Sequence, residues 1–289
     1  MKKGIIYALI TAILFVTLEP VSKLVANDIS PFAITFWRFL IGSFILVPPA
    51  IAKIKKEKIH ITLKDIGLMT ALGILFICIS MVLLQVAVKK ADSPSLIAII
   101  FSSNSVFTIL FAMIFIKEER LTKNKLIALI LGILGVIICA DFSSGTNLGS
   151  VTLAILAALS FSLYTALSQK YMKKLGGLIQ SSGVFLSGSI VLLMMLLILK
   201  IDVSMPVKMY DLTIMLYLGL FVTGTGYALY FKAIEKGGAI MASLAFFIKP
   251  ILTPFVTFFI NEIVPDVKVF IAVACIVAAS YFSAYRKNN

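Results

Sequence analysis

The sequence is short of the side chains from which metal centres and catalytic sites are usually built. Its 289 residues include one histidine, three cysteines and 13 acidic residues. The histidine, His60, lies among lysines, which is typical of a solvated loop residue rather than a metal ligand. The cysteines lie singly in apolar segments, so neither a disulfide framework nor a metal motif is indicated. With no nucleotide-binding loop or catalytic triad either, we expect no enzymatic activity, no metal and no other cofactor.

Apolar residues, in contrast, dominate the composition. Hydrophobic residues make up 61% of the chain and charged residues 13%, and the mean hydropathy is +1.09. A soluble core cannot bury this much apolar surface, whereas a bilayer solvates it. An isolated strand leaves its backbone unpaired in lipid, so each apolar run predicts a helix and the fold class is an all-α integral membrane protein. The ten predicted transmembrane helices are 4–24, 31–52, 65–88, 93–116, 124–140, 148–171, 178–199, 212–234, 238–260 and 267–285.

The lysines and arginines predict the orientation of the chain. With the N-terminus inside, 18 of the 26 fall in cytoplasmic segments and 6 in outer ones. This asymmetry predicts a multi-pass protein of the inner (plasma) membrane with both termini cytoplasmic, and it explains the net charge of +13 without a nucleic-acid partner. The first apolar run follows Lys2 and Lys3 as in a signal peptide, but it lacks a cleavage site and is interpreted as a retained helix.

Two halves of the chain resemble one another at an offset of about 145 residues, which predicts repeats at 1–142 and 147–289. Each repeat would contain five helices. Because five is odd, the second repeat enters the membrane from the opposite side, as in the inverted repeats of many secondary transporters. The paired features are 73–87 with 219–233, 104–108 with 249–253, and Glu118 or Glu119 with Glu262.

Four stretches carry a family resemblance. They are LEPVSK at 18–23, SPFAITFWRFL at 30–40, EERLT at 118–122, and GTGYALY at 224–230 continuing to Lys249 and Pro250. With the repeat, they make nearly the whole chain resemble the EamA-type transporters of the drug/metabolite transporter superfamily, which implies a ten-helix transporter and leaves the solute open. One departure is Ser105, where family members often carry proline. Its counterpart here is Pro250, so the fourth helix is expected to be straighter than the ninth unless Asn104 disturbs it.

Three ionisable residues within predicted spans are candidates for a function, since an ionisable group inside the membrane costs on the order of 3 kcal/mol. The first, Lys249, lies in the middle of the ninth span, too deep to reach the headgroups. Kinks expected at Pro250 and Pro254 would free backbone carbonyls beside it. We interpret Lys249 as a contact for a solute carboxylate or phosphate, with an ion pair to Glu19 as the structural alternative.

Glu19 and Arg38 are the other two. Glu19 precedes Pro20, a third predicted kink. Because burial favours the protonated carboxyl, Glu19 is a candidate for proton coupling, for solute contact or for neutralising Lys249, the alternative being a wetted position at the outer mouth. Arg38 has a long stem that can snorkel towards the outer surface, and the resemblance implies an arginine here, so we expect it to be a structural intramembrane charge.

Polar and aromatic residues complete the predicted site. Asn104 corresponds to Lys249 in the other repeat and is expected to face it across a central cavity, whereas the neighbouring serines are expected only to bond their own helix. Tyr227 and Tyr230 are three residues apart and share a helical face. They are predicted to contact the solute, with simple packing as the alternative.

These features favour a secondary transporter that exports an amino acid or a similar small metabolite by alternating access. An exchanger of a phosphorylated or nucleotide-linked solute is the alternative within transport, and it would need a second cation facing the cavity. A membrane enzyme would need clustered acids or histidines at one surface. A non-transporting membrane protein would leave the buried charges unexplained. The expected partners are a small solute and the bilayer, and a homodimer is allowed.

Overall fold

A computed structural model describes residues 2–115, 123–140, 147–171, 175–205 and 208–284, and every regular element in those ranges is helical. Two segments, π1 and π2, are π-helical. In chain order the elements are α1 (Lys2–Val16), α2 (Leu18–Leu24), α3 (Pro31–Glu57), α4 (Leu63–Gly73), π1 (Ile74–Met81), α5 (Val82–Lys90), α6 (Pro94–Ser102), α7 (Asn104–Phe115), α8 (Lys123–Ala140), α9 (Leu148–Tyr171), α10 (Gly176–Ile198), α11 (Met209–Leu216), π2 (Tyr217–Thr225), α12 (Gly226–Asn261) and α13 (Val267–Ala284).

Seven helical runs in the described ranges are long and apolar enough to cross a bilayer, which confirms a multi-pass all-helical membrane protein. Three further apolar helices are shorter, so the total of ten spans stays a prediction. The seven are Gly4–Leu24, Pro31–Glu57, Leu63–Lys90, Pro94–Phe115, Leu148–Gln169, Gly176–Ile198 and Met209–Ala233. The shorter three are Leu126–Ile138, Ile248–Asn261 and Val267–Ala279.

The first span is interrupted at Thr17, between α1 and α2. The cause is Pro20, which has no backbone N–H to donate to the carbonyl of Val16 one turn earlier. The helix resumes with the hydrogen bond from the Val21 amide to the Thr17 carbonyl, 2.9 Å. This break places Glu19 in the short helix α2 at membrane depth, where its side chain can reach the second half of the chain.

The fourth span is broken at Ser103, which corrects the expectation that it is straighter than its counterpart. Three consecutive side chains compete for the carbonyls of the preceding turn: Ser102 Oγ donates to Ala98 O (2.7 Å), Ser103 Oγ to Ile100 O (2.6 Å) and Asn104 Nδ2 to Phe101 O (2.7 Å). Such local bonds offer the backbone an alternative to the regular helix. In contrast, α12 remains helical through Pro250 and Pro254.

Helix α12 is unbroken over 36 residues, whereas the sequence predicted two spans separated near residue 236. A straight helix of that length would extend about 54 Å. The two ends of α12 nevertheless contact residues of the first span that are only nine positions apart, Thr11 and Pro20. Thr11 Oγ1 lies 3.4 Å from Gly226 O, and Asn261 Nδ2 lies 3.2 Å from Pro20 O. Nine helical residues cover about 14 Å. The segment therefore turns back on itself between Gly226 and Asn261, although its residues stay helical.

The two halves pack through reciprocal glycine contacts. Gly73 in α4 lies against the backbone of Gly188 in α10, while Gly219 in π2 lies against Ile41 in α3. These two glycines are equivalent residues of the proposed repeat, and so are the helices they touch. The second helix of each half therefore receives the third helix of the other.

Helices α3 and α10, the second helices of the two halves, run antiparallel to one another. The rings of Phe39 and Phe185 stack edge to face at 4.8 Å between centroids, and Lys53, further along α3, lies beside Gly176 at the start of α10. As residue numbers rise along α3 they fall along α10. This antiparallel pair forms the centre of the bundle, next to the cavity described below.

Candidate functional site

A small cavity lies where the two halves meet. Its volume of about 40 Å³ accommodates only about three water molecules. The lining is mostly apolar and aromatic, with two cations among the lining residues. These residues are Phe15, Leu18, Arg38, Phe39, Met81, Phe101, Phe161, Val222, Thr223, Tyr227 and Lys249.

Lys249 and Glu19 form an ion pair at the cavity. Lys249 Nζ lies 2.6 Å from Glu19 Oε1, and the exposed fractions of the two residues are 5% and 1%. Breaking a buried ion pair is destabilising, because removing one partner leaves an isolated charge in a low-dielectric site. The pair joins α2 of the first half to α12 of the second. It is the structural alternative foreseen for Lys249, and it occupies the charge that the sequence assigned to the solute.

Arg38 faces the same cavity with most of its guanidinium unpaired. The residue is 2% exposed, Nη2 lies 3.3 Å from Met81 Sδ, and Cζ lies 4.6 Å from the centre of the Phe39 ring. Within the described part of the chain, Nε and Nη1 have no hydrogen-bond partner. Leaving charged donors unsatisfied in an apolar site is costly, so these atoms are available to an acceptor that enters the cavity. The snorkelling role expected from the sequence is not what the structure contains, since the side chain points inward.

Aromatic rings surround both cations. Lys249 Nζ lies 5.7 Å from the centre of the Phe101 ring, which is a cation–π arrangement like that of Arg38 over Phe39. Tyr227 lies in the cavity wall, with its ring 5.0 Å from those of Phe15 and Phe185. The wall is therefore mostly aromatic and apolar, and its charges are concentrated at two positions.

The structure brings together only some of the predicted site residues. Lys249 and Tyr227 line the cavity, and Glu19 lies directly behind Lys249. Asn104 is not among the lining residues: its amide bonds the Phe101 carbonyl and its own carbonyl accepts from Ser162 Oγ at 2.8 Å. Tyr230 likewise is outside the lining set and packs beside the contact between α1 and α12. The acids Glu118 and Glu119 fall outside the described residues, as do the other members of their motif.

Sequence reasoning missed Met81 and assigned Arg38 only a structural role. Met81 gave no signal beyond its apolar character, yet its sulfur is the one hydrogen-bond partner of the Arg38 guanidinium given by the described residues. Arg38 gave a clear signal, a single arginine within an apolar run, but its direction could not be read. Whether such a side chain reaches outward or inward depends on which face of α3 meets α10 and π2.

One end of the bundle is cross-linked by polar contacts between loops and helix ends. Lys23 Nζ donates to the carbonyls of Val88, Lys89 and Ala91 at the C-terminus of α5. Such a lysine satisfies orphan carbonyls and complements the helix dipole.

Two contacts at the same end join the two halves. Trp37 Nε1 donates to Val203 O at 2.8 Å, and Lys208 Nζ lies 3.4 Å from Asp28 Oδ1. Together with the Lys23 contacts, they close this end of the bundle.

Long apolar helices packed around a small, charged cavity define a polytopic membrane protein with a candidate solute site. The family model of the EamA-like transporter family matches residues 2–140 and again 148–285, so the chain belongs to that family, as its motifs predicted. The double match is consistent with two repeats.

Relatives and a solved structure agree with this membership. An uncharacterized transporter of Clostridium kluyveri is 33% identical over 300 residues, covering 100% of this chain and 96% of that protein. An uncharacterized transporter of Archaeoglobus fulgidus is 25% identical, with 88% of each chain covered. A crystal structure with 17% identity superposes with a TM-score of 0.69 over 98% of this chain and 97% of its own, which concerns the fold alone.

Proposed function

We propose that the protein is a secondary transporter of the cell membrane that moves a small, negatively charged metabolite by alternating access. The observation that carries this proposal is the small cavity between the halves, which is lined by two buried cations, Arg38 and Lys249, the second of them paired with Glu19. Intramembrane charges of this kind mark solute or ion pathways. The proposed energy source is a gradient of the solute or of an ion.

Two inverted repeats of five helices each, 1–142 and 147–289, would supply the motion. The reciprocal glycine contacts and the antiparallel pairing of α3 with α10 support this arrangement, because a two-fold axis in the membrane plane relates helices in that way. The cavity holds only a few waters, so a metabolite can enter only when the helices separate on one side. The cross-linked end around Lys23 and Trp37 is then the closed outer side, with both termini in the cytoplasm.

The charge balance guides the choice of solute. An amino acid or similar metabolite needs one cation for its carboxylate, and a phosphorylated or nucleotide-linked solute needs at least two. The inward direction of Arg38 supplies a second cation and so keeps the phosphorylated solute as an alternative. Glu19, however, already neutralises Lys249, which leaves one uncompensated positive charge and favours a carboxylate.

Export is the proposed direction, and Glu19 is the proposed coupling residue. Protonation of Glu19 would break its 2.6 Å ion pair with Lys249 and add a free positive charge at the cavity, so proton binding would be coupled to solute binding. We would load proteoliposomes with a mixed pool of amino acids and other metabolites and measure which species leave, with and without a pH gradient. Loss of one solute class from wild-type vesicles, but not from Lys249→Met vesicles, is the expected result.

The matched control is Lys64→Gln, which removes an exposed lysine at the start of α4 and should leave transport unchanged. A Glu19→Gln variant should transport without responding to the pH gradient. Retention of full transport in both Glu19→Gln and Lys249→Met would show that the ion pair takes no part in the mechanism. Absence of efflux of any solute from folded protein, after widening the pool once, would contradict the transporter itself.

A further inference from the structure

We propose that Arg38 is the carboxylate-binding residue of this transporter and that its solutes are monocarboxylates with an apolar body and no ammonium group. This inference rests on the proposed function and specifies its solute. It assigns the anion to Arg38 rather than to Lys249, and it narrows the solute class within the small metabolites considered above.

The two cations, Lys249 and Arg38, differ in their partners. Lys249 has a carboxylate at 2.6 Å, whereas Arg38 has only a thioether at 3.3 Å and the face of one ring. Two nitrogen atoms of the guanidinium, Nε and Nη1, therefore have no partner in the described structure. A guanidinium binds a carboxylate through several N–H groups at once, and such charge-assisted bonds are among the strongest that a site can form.

The net charge at the cavity limits the charge of the solute. Two cations and one acid leave a single positive charge at the cavity, which a monoanion neutralises. A phosphate monoester carries close to two negative charges at neutral pH, and its second charge would remain buried without a counter-ion unless Glu19 gave up Lys249. The solute that the existing pairing accepts without rearrangement is a monocarboxylate.

The other residues of the cavity wall limit which further groups a solute can carry. Of the lining residues in the described ranges, the neutral polar ones are Thr223 and Tyr227, and none is acidic. An ammonium group would need a carboxylate, which the described lining residues do not supply, and the faces of Phe39 and Phe101 already lie beside Arg38 and Lys249. An α-ammonium would also be repelled by both cations. An apolar chain or ring, in contrast, matches the remaining surface.

The chain provides its own reporter for the test. Trp37 is the single tryptophan and directly precedes Arg38 in α3, so its fluorescence should respond when the neighbouring guanidinium is occupied. Purified full-length protein in detergent would be titrated with 3-phenylpropionate and with three analogues that keep the ring and chain. These are 3-phenylpropanamide, which lacks the charge, 2-phenylethylphosphonate, which carries the larger anion, and phenylalanine, which adds the ammonium.

We expect 3-phenylpropionate to give a saturable change in the Trp37 signal and each analogue to bind at least tenfold more weakly. Arg38→Lys, which keeps the charge but loses the planar fork, should weaken 3-phenylpropionate at least tenfold. The Glu19→Leu/Lys249→Met double variant, which removes the ion pair as a neutral unit, should weaken 3-phenylpropionate less than Arg38→Lys does. Lys64→Gln is the matched control and should bind as the wild type does.

The opposite pattern would overturn the proposal. Unchanged affinity in Arg38→Lys, combined with loss in the double variant, would return the anion to Lys249. Equal or tighter binding of the phosphonate would indicate a phosphorylated solute, and equal binding of phenylalanine would contradict the exclusion of the ammonium. If none of the four probes binds folded wild-type protein, the solute class is wrong, while efflux from the mixed-pool vesicles decides separately whether the protein is a transporter.

Discussion

Lys249 and Glu19, 230 positions apart in the sequence, meet at 2.6 Å inside the bundle and tie α12 to α2. Neither residue is more than 5% exposed, so the pair is surrounded by protein. The Oε2 atom of Glu19 has no hydrogen-bond partner in the described structure, so it is available to accept a hydrogen bond. The consequences for stability can be tested separately from transport.

Removing one member of this pair should destabilise the protein more than removing both. Glu19→Leu and Lys249→Met each leave a buried charge without its counter-ion, which costs ~3–5 kcal/mol, whereas the double variant leaves none and should recover most of that loss. Thermal unfolding of the four proteins in detergent measures the cycle. Lys208→Met, which breaks the exposed pair with Asp28, should lower stability by less than about 1 kcal/mol. Additive single and double effects would mean that the two charges do not stabilise one another.

The glycine contact between the halves should tolerate no side chain. A Cβ at Gly73 would lie 2.8 Å from Val184 O and 2.9 Å from the Gly188 backbone, so Gly73→Ala should force α4 and α10 apart and lower the unfolding temperature. Gly67, six residues earlier in the same helix, has open space around the same position. Gly67→Ala should therefore be neutral or stabilising by up to about 1 kcal/mol through helix propensity. Equal effects of the two substitutions would contradict the close crossing.

The contacts of Lys23 should hold one end of the bundle closed. Lys23→Met removes the donor that bonds the last carbonyls of α5 and should shift the population towards the state open at that end. The measurement is labelling by a membrane-impermeant thiol reagent of a cysteine introduced at Leu18, which lines the cavity, in a chain whose three native cysteines are replaced. Labelling from outside should increase in Lys23→Met. An unchanged rate would show that this end is closed by packing alone.

The orientation can be tested with reporter fusions. Alkaline phosphatase, which folds only outside the cytoplasm, should be active when fused after Asp202 and inactive when fused after Glu57. Green fluorescent protein at the C-terminus should fluoresce, because that end is predicted to be cytoplasmic. Activity after Glu57 would reverse the assigned topology, and with it the identity of the closed side.

The sequence predicted the features that depend on hydrophobicity and fewer of the features that depend on packing between helices. Apolar runs, the family motifs and the positions of buried charges follow from one-dimensional patterns, and family membership was confirmed over both halves. The break at Ser103 could not be predicted with confidence from a lone proline difference. It results from three side chains that bond the preceding turn, a choice the backbone makes between nearly equal alternatives.

The roles of the two cations show the same limit. Lys249 is buried, and its pairing with Glu19 was one of two alternatives that the sequence left open. Deciding between them required the distance between α2 and α12, which depends on how α12 turns back. Arg38 was located but given the wrong direction, because the sequence of α3 does not specify which of its faces meets the second half.

The π-helical segments have a mechanical consequence. Their hydrogen bonds reach one residue further than those of an α-helix, so each segment holds more chain per turn than its neighbours do. If π1 relaxed to α geometry, the helix beyond it would rotate by about 100° for each surplus residue, and Gln85 would leave its bond to Ser22. The same relaxation of π2 would turn Tyr227 out of the cavity wall. A change of helix type in either π segment would therefore change which side chains line the cavity.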